Sequence, residues 1–111
     1  MIDNVIDNVV DFFESVWAWV KRIVTRILNF FKNIVDWFKD PKRQKRLQEE
    51  KGKVEAVVVK HFENGSYNTI NCLFNTDTGQ IEGEEALGIE SEELDAATKK
   101  HFGDKDMIVL R

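Results

Sequence analysis

The 111-residue chain is 42% apolar and 32% charged, which is typical of a folded domain and excludes a disordered chain. Cys72 is its single cysteine, so an intrachain disulfide and a cysteine-based metal cluster are excluded and a reducing compartment is favoured. The start MIDNVIDNVVDFF has acids where a signal peptide has bases, so we expect a cytoplasmic or other intracellular protein. Charged residues interrupt every window of about 20 residues that could span a membrane.

The net charge of -4 divides into three blocks along the chain. Residues 1–20 contain four acids and no base, and residues 21–46 contain nine Lys and Arg against two Asp. Residues 47–111 contain seven Lys and Arg against fourteen Asp and Glu. The acidic block followed by the basic block suits the dipole of one continuous helix, and it would also match a second copy of that helix lying antiparallel.

Apolar residues come in doublets through the first 38 residues, spaced alternately three and four residues apart. Ten doublets, from Val5-Ile6 to Trp37-Phe38, predict one long amphipathic helix over residues 2–39. Such a helix is about 57 Å long at about 1.5 Å per residue. No Gly or Pro precedes Pro41, so nothing in the sequence predicts a break.

A short connector helix is predicted next, within residues 41–52. Asp40 is typical of an N-cap, Pro41 of the first helical position and Gly52 of a terminator. Its KRQKR run is predicted to be a basic patch in contact with solvent. Because the chain as a whole is acidic, we do not expect nucleic acid as a partner.

Residues 53–111 predict a small ββαβ domain. Asn64-Gly65 is typical of a type I′ hairpin turn, which would set Phe62 opposite Tyr67. A turn at 76–79 leads to a short third strand at 80–82, Ser91 is predicted to cap a helix over 92–102, and the final DMIVLR is predicted to be a strand. The predicted fold class is therefore α+β: an association helix over 1–40, the connector over 41–52 and the domain over 53–111.

The apolar stripe of the long helix is larger than this domain can cover, because a nine-residue strand spans only about 30 Å. Leaving the rest in water would forgo roughly 15–30 kcal/mol, more than the stability of a typical domain. We therefore predict a non-enzymatic assembly protein that forms a homo-oligomer, or docks into a larger complex, through this helix. The predicted contact residues are Val9, Phe12, Phe13, Val16, Trp17, Trp19, Val20, Ile23, Ile27, Phe30 and Phe31.

In an antiparallel pair of helices, Asp7 and Asp11 of one copy are predicted to lie against Arg22 and Arg26 of the other. Two alternatives stay open. The stripe could pack on the core of its own domain, or the helix could lie in a membrane interface with its three Trp residues at headgroup level. Residues 1–39 resemble in composition the membrane-active amphipathic peptides such as phenol-soluble modulins and leaderless bacteriocins, without a defining motif.

No catalytic, cofactor or metal site is predicted. His61 and Cys72 lie about 13 Å apart along the predicted hairpin, too far for a paired nucleophile and base. In the acidic run near residues 82–95, an EF-hand alignment places Phe74, Thr76 and Thr78 where its first ligands must be.

Overall fold

The computed structural model describes residue 6 and residues 8–110 of the chain. Within these residues the strands form one five-stranded sheet in the order β1-β4-β3-β2-β5, in which β1 is parallel to β4 and all other neighbours are antiparallel. The elements are α1 Val9–Trp17, β1 Arg22–Leu28, the π-helical turns Phe30–Val35 that run into the α-helical turn Asp36–Phe38 (together α2), α3 Pro41–Glu49, β2 Val54–Glu63, β3 Ser66–Asn75, β4 Gln80–Leu94, α4 Ala96–Phe102 and β5 Met107–Leu110.

The α+β class is confirmed, but the long N-terminal helix is wrong. The helix α1 has nine residues, and the chain then forms the strand β1 before it turns into α2. Four of the seven residues in β1 are β-branched (Ile23, Val24, Thr25, Ile27), a side-chain shape that loses rotamer freedom in a helix and packs well in a sheet. The doublet spacing therefore describes two helices and a strand, each of which buries apolar side chains.

Two asparagines mark the helix starts that the doublet pattern hides. The Asn8 side chain accepts a hydrogen bond from the N–H of Asp11 at 3.1 Å, and the Asn29 side chain accepts one from the N–H of Lys32 at 2.9 Å. Each is therefore an N-cap, a position at which Asn is strongly preferred. Asn29 in particular separates β1 from α2.

Both faces of the sheet are covered by helices. On one face α1 packs through Phe13 and Val16, and on the other face α2 packs through Phe30, Ile34 and Phe38. α3 and α4 lie on the same face as α2. Residues 9–38 and the strands that follow thus share one sheet and its two cores, so part of the predicted association stripe is used inside the protomer.

The predicted hairpin is confirmed. Phe62 lies opposite Tyr67, and Asn64 and Gly65 both have positive φ, 56° and 78°, as a type I′ turn requires. The third strand is much longer than predicted, because β4 extends through the acidic run to Leu94. Ser91 therefore lies in β4 and does not cap α4; the cap is Asp95, whose side chain accepts from the N–H of Thr98 at 2.8 Å.

The connector helix α3 is confirmed with its Asp40 N-cap, but its basic patch is not simply solvated. Arg43 Nε donates to Glu85 Oε2 at 2.7 Å, and Arg46 forms an ion pair with Glu82. The basic side of α3 thus packs against the acidic part of β4 through these two ion pairs. Hydrogen bonds from Asn75 and Arg46 lower the pKa of Glu82, as expected for a paired carboxylate.

Candidate interaction surface at the β1 edge

Exposed apolar side chains concentrate around β1. Within the described residues seven large apolar side chains are exposed, and five of them lie in the stretch from Trp19 to Phe31. Val24 is 77% exposed, Phe31 61% and Trp19 54%, while Ile23 and Ile27 are each more than a third exposed. We call these five residues, together with the open backbone edge of β1, the β1 edge surface.

Among the residues that the structure describes, no strand pairs with the outer side of β1, because β1 ends the strand order. Gly88 donates its N–H to the carbonyl of Lys21 at 2.8 Å, so the residues of β1 that face β4 are those on either side of Arg22. The N–H and C=O of Arg22 therefore point to the open edge. Since backbone groups alternate along a strand, those of Val24 and Arg26 point there as well. Such a row of unpaired groups is a template for another strand.

The packing of β1 onto the rest of the protein is firm at both ends. At its start, Gly88 leaves room for Trp17 and Val20, since a Cβ on this glycine would lie 2.9 Å from a side-chain atom of each. At its end, Leu28 is fully buried and its carbonyl accepts from the N–H of Asp95 at 3.0 Å. The open edge is thus a feature of an anchored strand and not of a frayed terminus.

The β1 edge surface is basic. Lys21, Arg22 and Arg26 are exposed, and the Arg22 guanidinium lies 4.8 Å from the Trp17 ring centroid. One strand further in, β4 places Glu90 beside Val24, and Glu93 also lies on this strand. Cations on an edge strand discourage indiscriminate pairing, and they restrict which partner strand and which register are tolerated.

The predicted contact residues divide into two groups. Trp19, Ile23, Ile27 and Phe31 are exposed and belong to the β1 edge surface. The other seven pack within the protomer, buried or half-buried: Val9, Phe12, Phe13, Val16, Trp17, Val20 and Phe30. These seven are therefore not offered to a partner in this fold.

Sequence reasoning missed Val24, the most exposed large apolar side chain of the described residues, because the doublet pattern assigned the segment to a helix. The run of β-branched residues around it was the signal that could have identified it. Of the predicted electrostatic pairs, Asp11 is exposed in the first turn of α1 and both arginines are exposed on β1. Asp7 lies outside the described residues.

The described residues give no constellation for catalysis. Cys72 is fully buried, and burial raises the pKa of its thiol to about 12, so it is not a nucleophile. His61 contacts the Phe13 ring and lies 3.5 Å from Glu63. No group of three or more His, Cys, Asp or Glu side chains in this part of the chain could hold a metal ion. Among the described helices, none is both long and apolar enough to cross a bilayer.

Comparison with known proteins adds no relative: no protein-family model, no curated protein and no solved structure matches this chain.

Proposed function

We propose that the chain is a non-enzymatic assembly protein whose copies pair edge to edge through β1, joining two sheets into one. The observation that carries this proposal is the β1 edge surface: an anchored seven-residue edge strand with open backbone groups and three exposed apolar side chains, Ile23, Val24 and Ile27. Natural edge strands are usually short, bulged, covered or polar along their length. β1 has seven residues, its register with β4 shows no shift, and no element of the described residues covers its outer side; its only charged side chains are Arg22 and Arg26.

Charge selects one register for an antiparallel β1 pair. With Thr25 of one copy opposite Thr25 of the other, Ile23 lies opposite Ile27 and each Arg26 lies opposite Val24. A register shifted to centre on Val24 would instead place Arg22 directly opposite Arg26. Like charges directly opposite are destabilising by about 0.2–1 kcal/mol per pair, so the Thr25-centred register is favoured.

The free energy available from burial is of the same order as the cost of association. Each large apolar side chain contributes roughly 1.5–3 kcal/mol when fully buried, and a pair of copies brings ten of them, already partly covered. If half of this apolar surface is newly buried in the pair, its contribution is still comparable to the roughly 4–15 kcal/mol that association costs in lost translation and rotation. The backbone hydrogen bonds of the paired edges contribute further.

Sedimentation velocity of the full chain tests the proposal, with two proline variants as a matched pair. We expect the wild-type chain to dimerise at micromolar concentration. Val24→Pro removes an N–H that points to the open edge, so we expect a folded monomer. Ile23→Pro removes an N–H directed to β4, so we expect a loss of protomer stability of about 3 kcal/mol or more. A wild-type chain that stays monomeric, or a Val24→Pro variant that still dimerises, would contradict edge pairing.

The same segment has the features of a membrane contact, since exposed Trp19 and Phe31 flank β1 along the chain and Lys21, Arg22 and Arg26 are exposed between them. Co-sedimentation with anionic and neutral vesicles separates the two functions. Edge pairing predicts that Val24→Pro abolishes self-association and that vesicles do not sediment the protein. Binding to anionic vesicles that survives Val24→Pro and disappears on reversal of Arg26 to Glu would favour a peripheral membrane protein.

A further inference from the structure

An open cleft lies away from β1, between α2, α3, the start of β2 and the ends of α4 and β5. Its volume of about 990 Å³ falls at the upper end of the roughly 300–1,000 Å³ that small-molecule sites occupy. The walls are mostly apolar, as such sites usually are. The residues that form them include Phe38, Leu47, Val54, Ala56 and Leu110.

The cleft stays open because α3 has too little apolar surface to close it. Gln44, Leu47 and Gln48 repeat at helical spacing and all line the cleft, so this is the side of α3 that faces the sheet. Only Leu47 among them is a large apolar residue. The neighbouring side of α3 is held on β4 by its arginine ion pairs. The helix is therefore fixed along one side and stands off the sheet along the other.

Two lysines that have no ion-pair partner among the described residues stand at the mouth of the cleft. Lys39 precedes α3 and Lys51 follows it, and both are exposed and line the cleft. Neither ammonium forms an ion pair with any residue that the structure describes. The one acid among the lining residues, Glu55, already has a partner. The mouth therefore offers positive charge to a ligand whose remainder lies against apolar walls.

From these features we infer that the cleft binds a single-chain amphiphile with an anionic headgroup, of the class of long-chain carboxylates. The alkyl chain lies along Phe38, Leu47 and Val54, and the carboxylate meets the ammonium of Lys39 or Lys51. Neither a neutral nor a cationic headgroup would gain from these two lysines. This binding does not depend on pairing through β1, so either function can hold without the other.

Calorimetric titration with palmitate and with hexadecanol tests the inference, both below their aggregation concentrations. We expect palmitate to bind with one-to-one stoichiometry and hexadecanol to bind about fivefold more weakly, since an exposed charge pair contributes at most about this factor. The double variant Lys39→Glu/Lys51→Glu should bind palmitate at least about fivefold more weakly than wild type, because the charge pair is lost and repulsion is added, and hexadecanol with unchanged affinity. The control Lys45→Glu makes one such charge reversal on α3 outside the cleft and should match wild type.

A second pair of variants tests the location. Gln48→Trp fills the mouth from an exposed position, so the fold should be retained and palmitate binding lost, whereas Lys45→Trp should bind like wild type. Equal affinity of wild type for palmitate and hexadecanol, or no stoichiometric binding of palmitate, overturns the inference. Palmitate binding that Gln48→Trp leaves unchanged also overturns it, because the binding site would then lie outside the cleft.

Discussion

Asp95 is a single side chain that joins three elements. Its carboxylate accepts from the N–H of Thr98 at 2.8 Å and from the Thr98 hydroxyl at 2.6 Å, and also from the N–H of Phe30 at 3.3 Å. It thereby caps α4, ties that helix to the start of α2, and holds the end of β1 through its own N–H to Leu28. Burial raises the pKa of this carboxyl, but the hydrogen bonds from Thr98 and Phe30 outweigh burial and lower it from 3.8.

The lowered pKa of Asp95 predicts how stability responds to acid. Its stabilising contribution is fully present above the ordinary value of 3.8 and is lost as the pH falls through the lower folded-state value. At neutral pH we expect Asp95→Ala to cost about 0.5–2 kcal/mol, and Asp95→Asn less, because Asn is an equally good N-cap. Chemical denaturation at several pH values measures this. A difference between wild type and Asp95→Ala that stays constant into strong acid would contradict the role of the ionised carboxylate.

Gly88 lies where β4 meets the start of β1, and its lack of a side chain has a packing reason. An added Cβ would lie 2.9 Å from Trp17 Cζ3 and 2.9 Å from Val20 Cγ1, closer than real contacts. We expect Gly88→Ala to lower the free energy of unfolding by roughly 1–3 kcal/mol, measured by denaturant titration. Val20→Ala removes one of the clashing atoms, so it should cost less in the Gly88→Ala background than in wild type. If the free-energy costs of Gly88→Ala and Val20→Ala are additive, the methyl group added at position 88 does not clash with Val20.

The elements whose boundaries are set by local residues, the hairpin and the start of α3, were predicted correctly, whereas the edge strand β1 was predicted as helix. Asn64-Gly65 alone fixes the hairpin and its register, and Asp40-Pro41 fixes the start of α3. β1 depends on β4, where Val24 meets Glu90 far along the chain, and no local periodicity reveals such a partner. The doublets at Ile23 and Ile27 satisfy helical spacing and also occur in a strand, so the periodicity was ambiguous at β1.

The helix α3 gives an element-scale prediction through Arg43. Its guanidinium donates to Glu85 and to the carbonyl of Trp37 at 3.0 Å, and lies 3.8 Å from the Trp37 ring centroid. Lysine keeps the charge but loses the fork geometry and much of the stacking. We therefore expect Arg43→Lys to cost about 1 kcal/mol and to speed amide hydrogen exchange in α3. Lys45→Ala, a substitution at an exposed position of the same helix, is the control. If amide exchange in α3 is equally fast in both variants, the contacts of Arg43 with Glu85 and Trp37 do not stabilise this helix.

At the scale of the whole molecule, most of the apolar surface that the sequence predicted to be exposed is buried, because helices cover both faces of the sheet. The prediction that a small domain leaves half of the stripe uncovered assumed that residues 53–111 alone provide the cover. In the structure, residues 9–38 form one strand of the same sheet and two helices that pack on it, so Phe13 and Phe30 are buried within the protomer. What remains exposed is concentrated at the β1 edge surface. The site proposed for assembly is accordingly smaller than the predicted one and uses backbone as well as side chains.

The assembly proposal makes a geometric claim that one cross-linking measurement tests most directly. The Thr25-centred register places the two Thr25 residues in a non-hydrogen-bonded pair, with Cα atoms about 4.5 Å apart, within the range of a disulfide. Two Arg26 residues are diagonal neighbours at about 7–8 Å, beyond that range. Since Cys72 is buried and unreactive, Thr25→Cys and Arg26→Cys each introduce one accessible thiol.

Under mild oxidation we expect Thr25→Cys to form a disulfide-linked dimer rapidly and Arg26→Cys to form one slowly, as followed on non-reducing gels. Adding Val24→Pro to Thr25→Cys should abolish the rapid reaction, since it blocks the open edge of β1. If Thr25→Cys cross-links no faster than Arg26→Cys, or if Val24→Pro leaves its rate unchanged, copies of this chain do not pair through β1.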